Sequence, residues 1–380
     1  MARRLLACCI APLALSLLHT EPSAAQQPRR IELPPPDATA EVEFTSVQSV
    51  RELSDGSLLV ADRRERRLVH VDWRGEEVVV GREGPGPGEY RGIGWLHPLA
   101  GDTTLFTDSF DGRWHLVVGT RIVETLGQSR STVAALGPRL SGTDRRGNVL
   151  AVQRAGRSGA AGAGDSLPLL KGRLGSLGVD TVTRLHAPRA GLHRLPATGG
   201  RPPTVISGNS FRPVDLALLF PDGWLAVART RPYRVEWQRP DGGWVRGAPL
   251  PFRPLPVDDR AKRAGMARWG LPKDIEPASL PGWPETLPPF VGGGGSGGAM
   301  NALPVLLAAP DGSLLIARTP TPASAGNQYD VVARDGRLVG RITLPGNEAL
   351  AGSGANALYV VAVDPLGLQT LRRHQWPDEP

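Results

Sequence analysis

Short apolar runs, each introduced by a turn, punctuate the chain. Asp55-Gly56-Ser57 opens the run Leu58-Leu59-Val60-Ala61, and Asp311-Gly312-Ser313 opens Leu314-Leu315-Ile316-Ala317. Asp222-Gly223-Trp224 leading into Leu225-Ala226-Val227-Ala228 is a third copy, and weaker copies begin near Asp102, Gly147 and Ala357. A turn followed by four or five apolar residues reads as a short buried strand. With Leu58, Thr104, Val149, Leu225, Leu314 and Leu358 as equivalents, the spacings are 46, 45, 76, 89 and 44 residues. A unit of about 45 residues, stretched twice by insertions, is the period of a propeller blade.

The pattern inside each unit agrees. Around the first copy it predicts strands over 45–53, 57–61, 67–71 and 76–80, and around the fourth over 214–220, 224–228, 233–237 and 244–248. Four short antiparallel strands joined by turns make one blade, which buries its faces only against its neighbours. The expected fold is therefore all-β, a six-bladed β-propeller of four-stranded antiparallel blades. The sixth copy is a strand short, because after 358–363 only 368–375 precedes the end of the chain. The unassigned segment 30–33 is expected to supply the outer strand of that blade and close the ring. One short helix is expected over 260–269, capped by Asp258-Asp259 and stopped by Gly270. It lies in an insertion, 250–300, between blades four and five, where Gly292 to Gly298 reads as a flexible linker within a loop.

The first 25 residues read as a segment apart from this domain. Met1-Ala2-Arg3-Arg4 is basic, 5–18 is apolar, and Ser23-Ala24-Ala25 offers small residues for cleavage. An export signal cleaved near Ala25 would leave residues 26–380 as one propeller in the periplasm or outside the cell. Fourteen apolar residues are too few to span a bilayer, and no later stretch comes closer. Both cysteines, Cys8 and Cys9, fall inside the signal, so disulfides and thiolate chemistry are excluded from the mature chain.

Composition changes the picture in two ways. The 47 Gly and 37 Pro suit many turns and argue against a helical bundle. The formal charge of +7 suggests a polyanion at first, but nearly all the basic residues are arginines scattered among Asp and Glu; Lys171, Lys262 and Lys273 are the exceptions. No basic run is interleaved with aromatics, so nucleic acid is not expected as a partner.

Candidate chemistry is sparse. Asp62 precedes Arg67, and Asp108 precedes Arg113, by the same five residues. At that spacing the carboxylate caps the loop between the second and third strands of a blade and can pair with the arginine across it. In blade four Arg229 and Arg234 hold these places, and the pair is lost. The Gly84 to Tyr90 stretch lacks the lysine and the following helix of a phosphate loop. His186 and His193 sit in Pro- and Gly-broken sequence with no carboxylate at ligand spacing and read as solvated. There is no His-Glu-x-x-His helix, and no catalytic or metal-binding residue is assigned.

Two segments carry a family resemblance. Ser57-Leu58-Leu59-Val60-Ala61-Asp62, followed by Arg67-Leu68-Val69-His70-Val71-Asp72, is similar to the strand pairs of NHL-type propellers. Gly84-Pro85-Gly86-Pro87-Gly88-Glu89-Tyr90 resembles the Gly-x-Gly-Pro-Gly-Glu-(Phe/Tyr) segment of the bacterial six-bladed β-propeller family. The resemblance implies the fold and an exported location, and no reaction.

Three functional readings follow. The leading one is a monomeric, non-enzymatic binding module without a cofactor, whose partner is an unidentified protein, peptide or glycan. The alternatives are a hydrolase resembling propeller lactonases and arylesterases, with Ca2+ on the channel axis and Glu89 among its ligands, and a scaffold without ligand. Alternating antiparallel strands place all the long connections (154–165, 186–211, 250–300 and 318–328) at one end of the ring. Segment 250–300 is expected to fold over the channel mouth there, above a site formed by Glu89, Tyr90, Asp108 and Trp269.

Overall fold

The computed structural model describes residues 28–127, 136, 140–153, 165–188, 192–195, 204–207, 211–268, 271, 273–280, 282–292, 303–321 and 323–378. The expected export signal, the glycine run from Gly293 to Gly298 and Trp269 lie outside these residues.

The repeated turn explains the repeated strand. In the first copy Asp55 accepts the Ser57 N–H at 2.9 Å, and in the fifth Asp311 accepts the Ser313 N–H at 2.9 Å. Between them Gly56 and Gly312 adopt φ of 81° and 84°, which a residue with a Cβ rarely tolerates. The turn delivers the chain into a strand such as Leu58–Asp62, buried along its whole length because neighbouring sheets cover both faces.

Among the described residues the strands sort into successive antiparallel meanders, numbered here from the N-terminal side, with strands a to d running from inside to outside. Meander 1 is Val47–Glu52, Leu58–Asp62, Arg67–Val71 and Glu77–Val79. Meander 2 is Leu96–Pro98, Thr103–Thr107, Trp114–Val118 and Arg121–Leu126. Meander 3 is Leu140–Thr143, Asn148–Val152, Ser166–Arg173 and Val179–His186. It joins meander 4 (Leu216–Leu219, Leu225–Thr230, Tyr233–Gln238, Trp244–Arg246) through a parallel bridge between Gly142 and Leu219. Meander 5 is Leu306–Ala308, Leu314–Ala317, Asn327–Val332 and Leu338–Leu344, and meander 6 begins with Glu348–Ser353, Ala357–Val363 and Gln369–Gln375. The arrangement is that of a β-propeller.

The core is divided among the seams between meanders. Leu59, Leu68 and Tyr90 meet Phe106 and Val117 between the first two. Trp114 meets Val149 and Ala151 at the next seam, and Leu150 and Leu169 meet Leu219 and Val227 at the one after. Trp237 packs with Leu306 and Ile316, then Leu315 and Val331 with Leu350 and Val360. A sixth cluster unites Val50, Val60 and Val69 of the first meander with Ala351, Tyr359 and Val361 of the last.

The outer strand of meander 6 is not the expected one. Segment Ala38–Phe44 lies antiparallel to Gln369–Gln375, whereas Arg30–Ile31 runs parallel to Leu338–Leu344 on the outside of meander 5, with Ile31 paired to Ile342. The three prolines after Leu33 carry the chain from one sheet to the next, and Pro34 accepts a hydrogen bond from His374 Nδ1 at 2.8 Å.

The described parts of three long connections meet at the end bearing the b–c and d–a loops. Helix α1, Asp259–Arg268, starts at Asp258, whose carboxylate accepts the Ala261 N–H at 2.8 Å. Ala261 packs with Phe211, from the connection before meander 4, and with Leu287. Thr319, in the b–c loop of meander 5, donates to the Pro289 carbonyl at 3.0 Å and the Pro288 carbonyl at 2.6 Å. No helix among the described residues is long and apolar enough to cross a membrane.

Candidate functional site

Of the residues singled out in the sequence, Glu89, Tyr90 and Asp108 are described, and they lie together at the end with the b–c and d–a loops. The Glu89 carboxylate accepts from the Gly86 N–H at 2.8 Å and from Arg82 Nε at 2.6 Å, and these two partners, in that order, pull it below the usual carboxylate range. Tyr90 is buried edge-on to Phe106, and its hydroxyl accepts the Leu68 N–H at 3.0 Å. Asp108 is wholly buried and accepts the N–H groups of Arg91 (2.9 Å), Phe110 (2.8 Å) and Asp111 (3.1 Å). Arg113 ties the group together, reaching the carbonyls of Pro85 (2.8 Å) and Glu89 (3.2 Å) while its Nη2 lies 3.6 Å from Asp108. None of the three lines the large cavity of the molecule.

The spacing argument holds for Asp108 and fails for Asp62. Asp62 does cap its loop, accepting the Arg64 N–H at 3.1 Å, but its other acceptors go to the N–H groups of Thr45 (2.8 Å) and Ser46 (3.1 Å). Arg67 turns instead to Glu77 on strand d at 2.6 Å. Where meander 4 carries Arg229 and Arg234, the replacement carboxylate is Glu236, which accepts from both.

The large cavity, of about 890 Å³, is lined by the inner strands and a–b turns of all the meanders. It therefore opens toward the end with the minimal turns, opposite to the insertions. Its walls include Leu218, Phe220, Leu306 and Trp95, and its mouth carries charged side chains. Each carboxylate there already accepts a hydrogen bond or ion pair. Glu52 takes the Ala355 N–H at 2.6 Å, Asp102 the N–H and hydroxyl of Ser54 at 2.7 and 2.6 Å, Asp55 the Ser57 N–H at 2.9 Å, and Asp222 pairs with Arg334 at 2.5 Å. Donors are less fully engaged. Arg145 is exposed and its guanidinium has no partner among the described residues. Arg51 donates to the carbonyls of Glu52 and Gly101, yet its buried Nε has no partner. Burial lowers its affinity for its proton, opposed by Asp102 and Glu52 and reinforced by the like charge of Arg145. His97 is buried with Nε2 unpartnered, and burial lowers its pKa to about 4, so the ring is neutral at pH 7. Among the described residues no three His, Cys, Asp or Glu side chains converge as a metal site.

No family model and no curated protein matches the chain. Among solved structures it is similar to a streptogramin B lyase, with 11% identity over 90% of this chain and 86% of that one at a TM-score of 0.40. A putative gluconolactonase has 14% identity over 90% and 94% of the two chains at a TM-score of 0.40. A putative exported protein from Bacteroides fragilis has 11% identity over 92% and 94% at a TM-score of 0.47. The likeness extends to the fold alone.

Proposed function

We propose that the protein is an exported six-bladed propeller, closed through Ala38–Phe44, that binds a small organic molecule in its central cavity from the end with the short turns. The observation that carries this reading is the imbalance at the mouth: the carboxylates are all engaged, while Arg145 is exposed with its guanidinium unpartnered among the described residues, and the buried Arg51 Nε has no partner. A ligand with an apolar body and an acceptor oxygen, best a carboxylate, complements such a site, since the apolar wall supplies burial and the arginine a charge-assisted bond. Its size is within the range of ligand pockets. The reading retains a binding module and moves its site away from the insertions. The lactonase reading would need Glu89 for a cation, and Glu89 is held by Arg82 and the Gly86 N–H.

A panel of small aryl and alkyl carboxylic acids, with matched amides and amines, tests it by thermal shift. Acids should raise the melting temperature, and Arg145→Ala should remove the rise while leaving the unliganded protein unchanged. Preference for amines, or equal shifts in the Arg145→Ala variant, would overturn the ligand chemistry. Stabilisation by calcium alone would favour the hydrolase.

A further inference from the structure

A second, smaller groove of about 360 Å³ lies at the opposite end, between meanders 3 and 4, and its lining is almost entirely charged. Five arginines contribute to it: Arg184 from the end of Val179–His186, and Arg229, Arg231, Arg234 and Arg246 from meander 4. Three carboxylates, Asp165, Asp215 and Glu236, face them, so the arginines and carboxylates of the lining sum to a formal charge of +2.

The strand register makes this concentration costly without compensation. Arg229 and Arg234 are direct cross-strand partners, and like charges in that relation repel. Glu236 relieves the repulsion by accepting from Arg229 at 2.8 Å, Arg234 at 2.6 Å and Arg246 at 3.2 Å. One buried carboxylate thus serves three guanidiniums; burial opposes its ionisation, and the hydrogen bonds and charges of Arg229 and Arg234 together outweigh burial and pull it below its ordinary range. Asp215 pairs with Arg229 at 3.1 Å and otherwise accepts the N–H groups of His186 and Thr230, both at 2.9 Å. Arg184 is held to Ser166 at 2.9 Å.

Two arginines keep donors to spare. Arg231 is exposed and its guanidinium has no partner among the described residues; Arg246, with its side chain 72% exposed, makes a single ion pair, at 3.2 Å, to the Glu236 it shares with two other arginines. The Nε2 of His186, on the same lining, is buried and unpartnered. Structural bracing accounts for Arg229 and Arg234. It does not account for two more guanidiniums on the rim of a groove that already carries excess positive charge.

We infer that this groove binds a small dianionic oxyanion, a phosphate or sulfate group, between Arg231 and Arg246. Arg231 lies in the turn between Leu225–Thr230 and Tyr233–Gln238, and Arg246 at the end of Trp244–Arg246; two planar guanidiniums lining one groove suit a tetrahedral oxyanion, and a charge of −2 neutralises the excess. The same chemistry could come as the free ion or as a sugar ester, whose ring would fill the rest of the groove. The inference does not rest on the central cavity, because the two sites lie at opposite ends of the propeller.

Isothermal titration of the full exported chain with sodium sulfate, inorganic phosphate and glucose 6-phosphate, at fixed ionic strength, tests it. Saturable binding near one equivalent is expected, weakened about tenfold or more by Arg231→Ala or Arg246→Ala, each of which removes one charge-assisted contact. Arg231→Lys should keep part of the affinity, and Arg145→Ala should leave it unchanged. Tighter binding of glucose 6-phosphate than of phosphate would identify an ester as the ligand, and equal binding the free ion. Both arginines are exposed, so melting temperatures of the variants should match the wild type. Absence of saturable binding by all three probes, or undiminished binding in the doubly substituted protein, would overturn the inference.

Discussion

Gly352 lies so close to the Val50 carbonyl that a Cβ built on it would stand 2.7 Å from that oxygen. The two residues belong to the inner strands of the last and first meanders, so this contact sits at the seam where the chain's ends meet. A methyl group there would push backbone against backbone, which neither strand can relieve by rotating a side chain. Gly352→Ala is expected to lower the unfolding free energy by about 1–3 kcal/mol. Gly346→Ala is the control, since nothing lies within 4 Å of its added Cβ. Urea titrations of both variants would decide; equal midpoints would mean that the seam is looser than this contact implies.

Asp330 is the electrostatic centre of another seam. It is wholly buried and accepts from Arg318 and Arg341 at 2.6 and 2.7 Å and from the Tyr233 hydroxyl, across the seam, at 2.7 Å. Its removal strands two largely buried guanidiniums. Asp330→Ala should cost about 3–5 kcal/mol, whereas Tyr233→Phe, which keeps both ion pairs, should cost about 1 kcal/mol. Comparable losses would show that the tyrosine bond, rather than charge compensation, dominates.

The strands were legible where a local device fixed them. The Asp-Gly-Ser turn sets the start of Leu58–Asp62 within one residue of expectation, and Arg67–Val71 coincides with it. The outer strand Ala38–Phe44 was missed because half of it faces solvent; Thr39, Glu41 and Glu43 dilute the apolar signal that a buried strand would show. Arg30–Ile31 did form a strand, but which sheet it joins depends on where three prolines lead the chain. The central cavity left no local trace. Arg51, His97 and Arg145 come from three meanders and converge through the ring, not through sequence spacing. The arginine groove was half visible: the lost acid–base pair at Arg229 and Arg234 marked the place, while Glu236 as its substitute required the register.

Acid should destabilise the protein through two buried imidazoles. Burial lowers the pKa of His97 and of His115 to about 4 from 6.5, and for His115 the charge of Arg113 adds to the effect. Between those values the unfolded chain takes up protons that the native state refuses. Stability is therefore complete above pH 6.5 and falls as the pH drops toward 4. The loss at pH 5 is about 2 kcal/mol per histidine. The lowered carboxyls of Glu89 and Glu236 act in the same direction at lower pH still. Denaturation midpoints at pH 7 and pH 5 should differ clearly in the wild type and much less in a His97→Gln, His115→Gln variant. An unchanged difference would place the acid sensitivity elsewhere.

Arg113 separates a structural role for the Glu89 segment from a binding one. Its guanidinium reaches the carbonyls of Gly84, Pro85 and Glu89 at 3.3, 2.8 and 3.2 Å and lies 3.0 Å from Asp111. Those carbonyls belong to a loop whose own contacts (Glu89 with Arg82 and the Gly86 N–H, Tyr90 with Leu68) tie it mainly to meander 1, and the arginine adds a hold on this d–a connection from the b–c loop of meander 2. Arg113→Ala leaves several partly buried acceptors and the Asp108 carboxylate without their cation, at a cost of about 2–4 kcal/mol. The loop should then exchange its amide hydrogens faster, from Gly84 through Arg91, while the rest of the first two meanders stays protected. Lysine retains the charge but not the fork that spans three carbonyls, so Arg113→Lys should recover only a minor part of the stability. Neither variant should change the affinity of a carboxylate for the central cavity, which opens at the other end. Loss of that affinity together with loop protection would tie the two ends into one unit and return the Glu89 segment to the binding site.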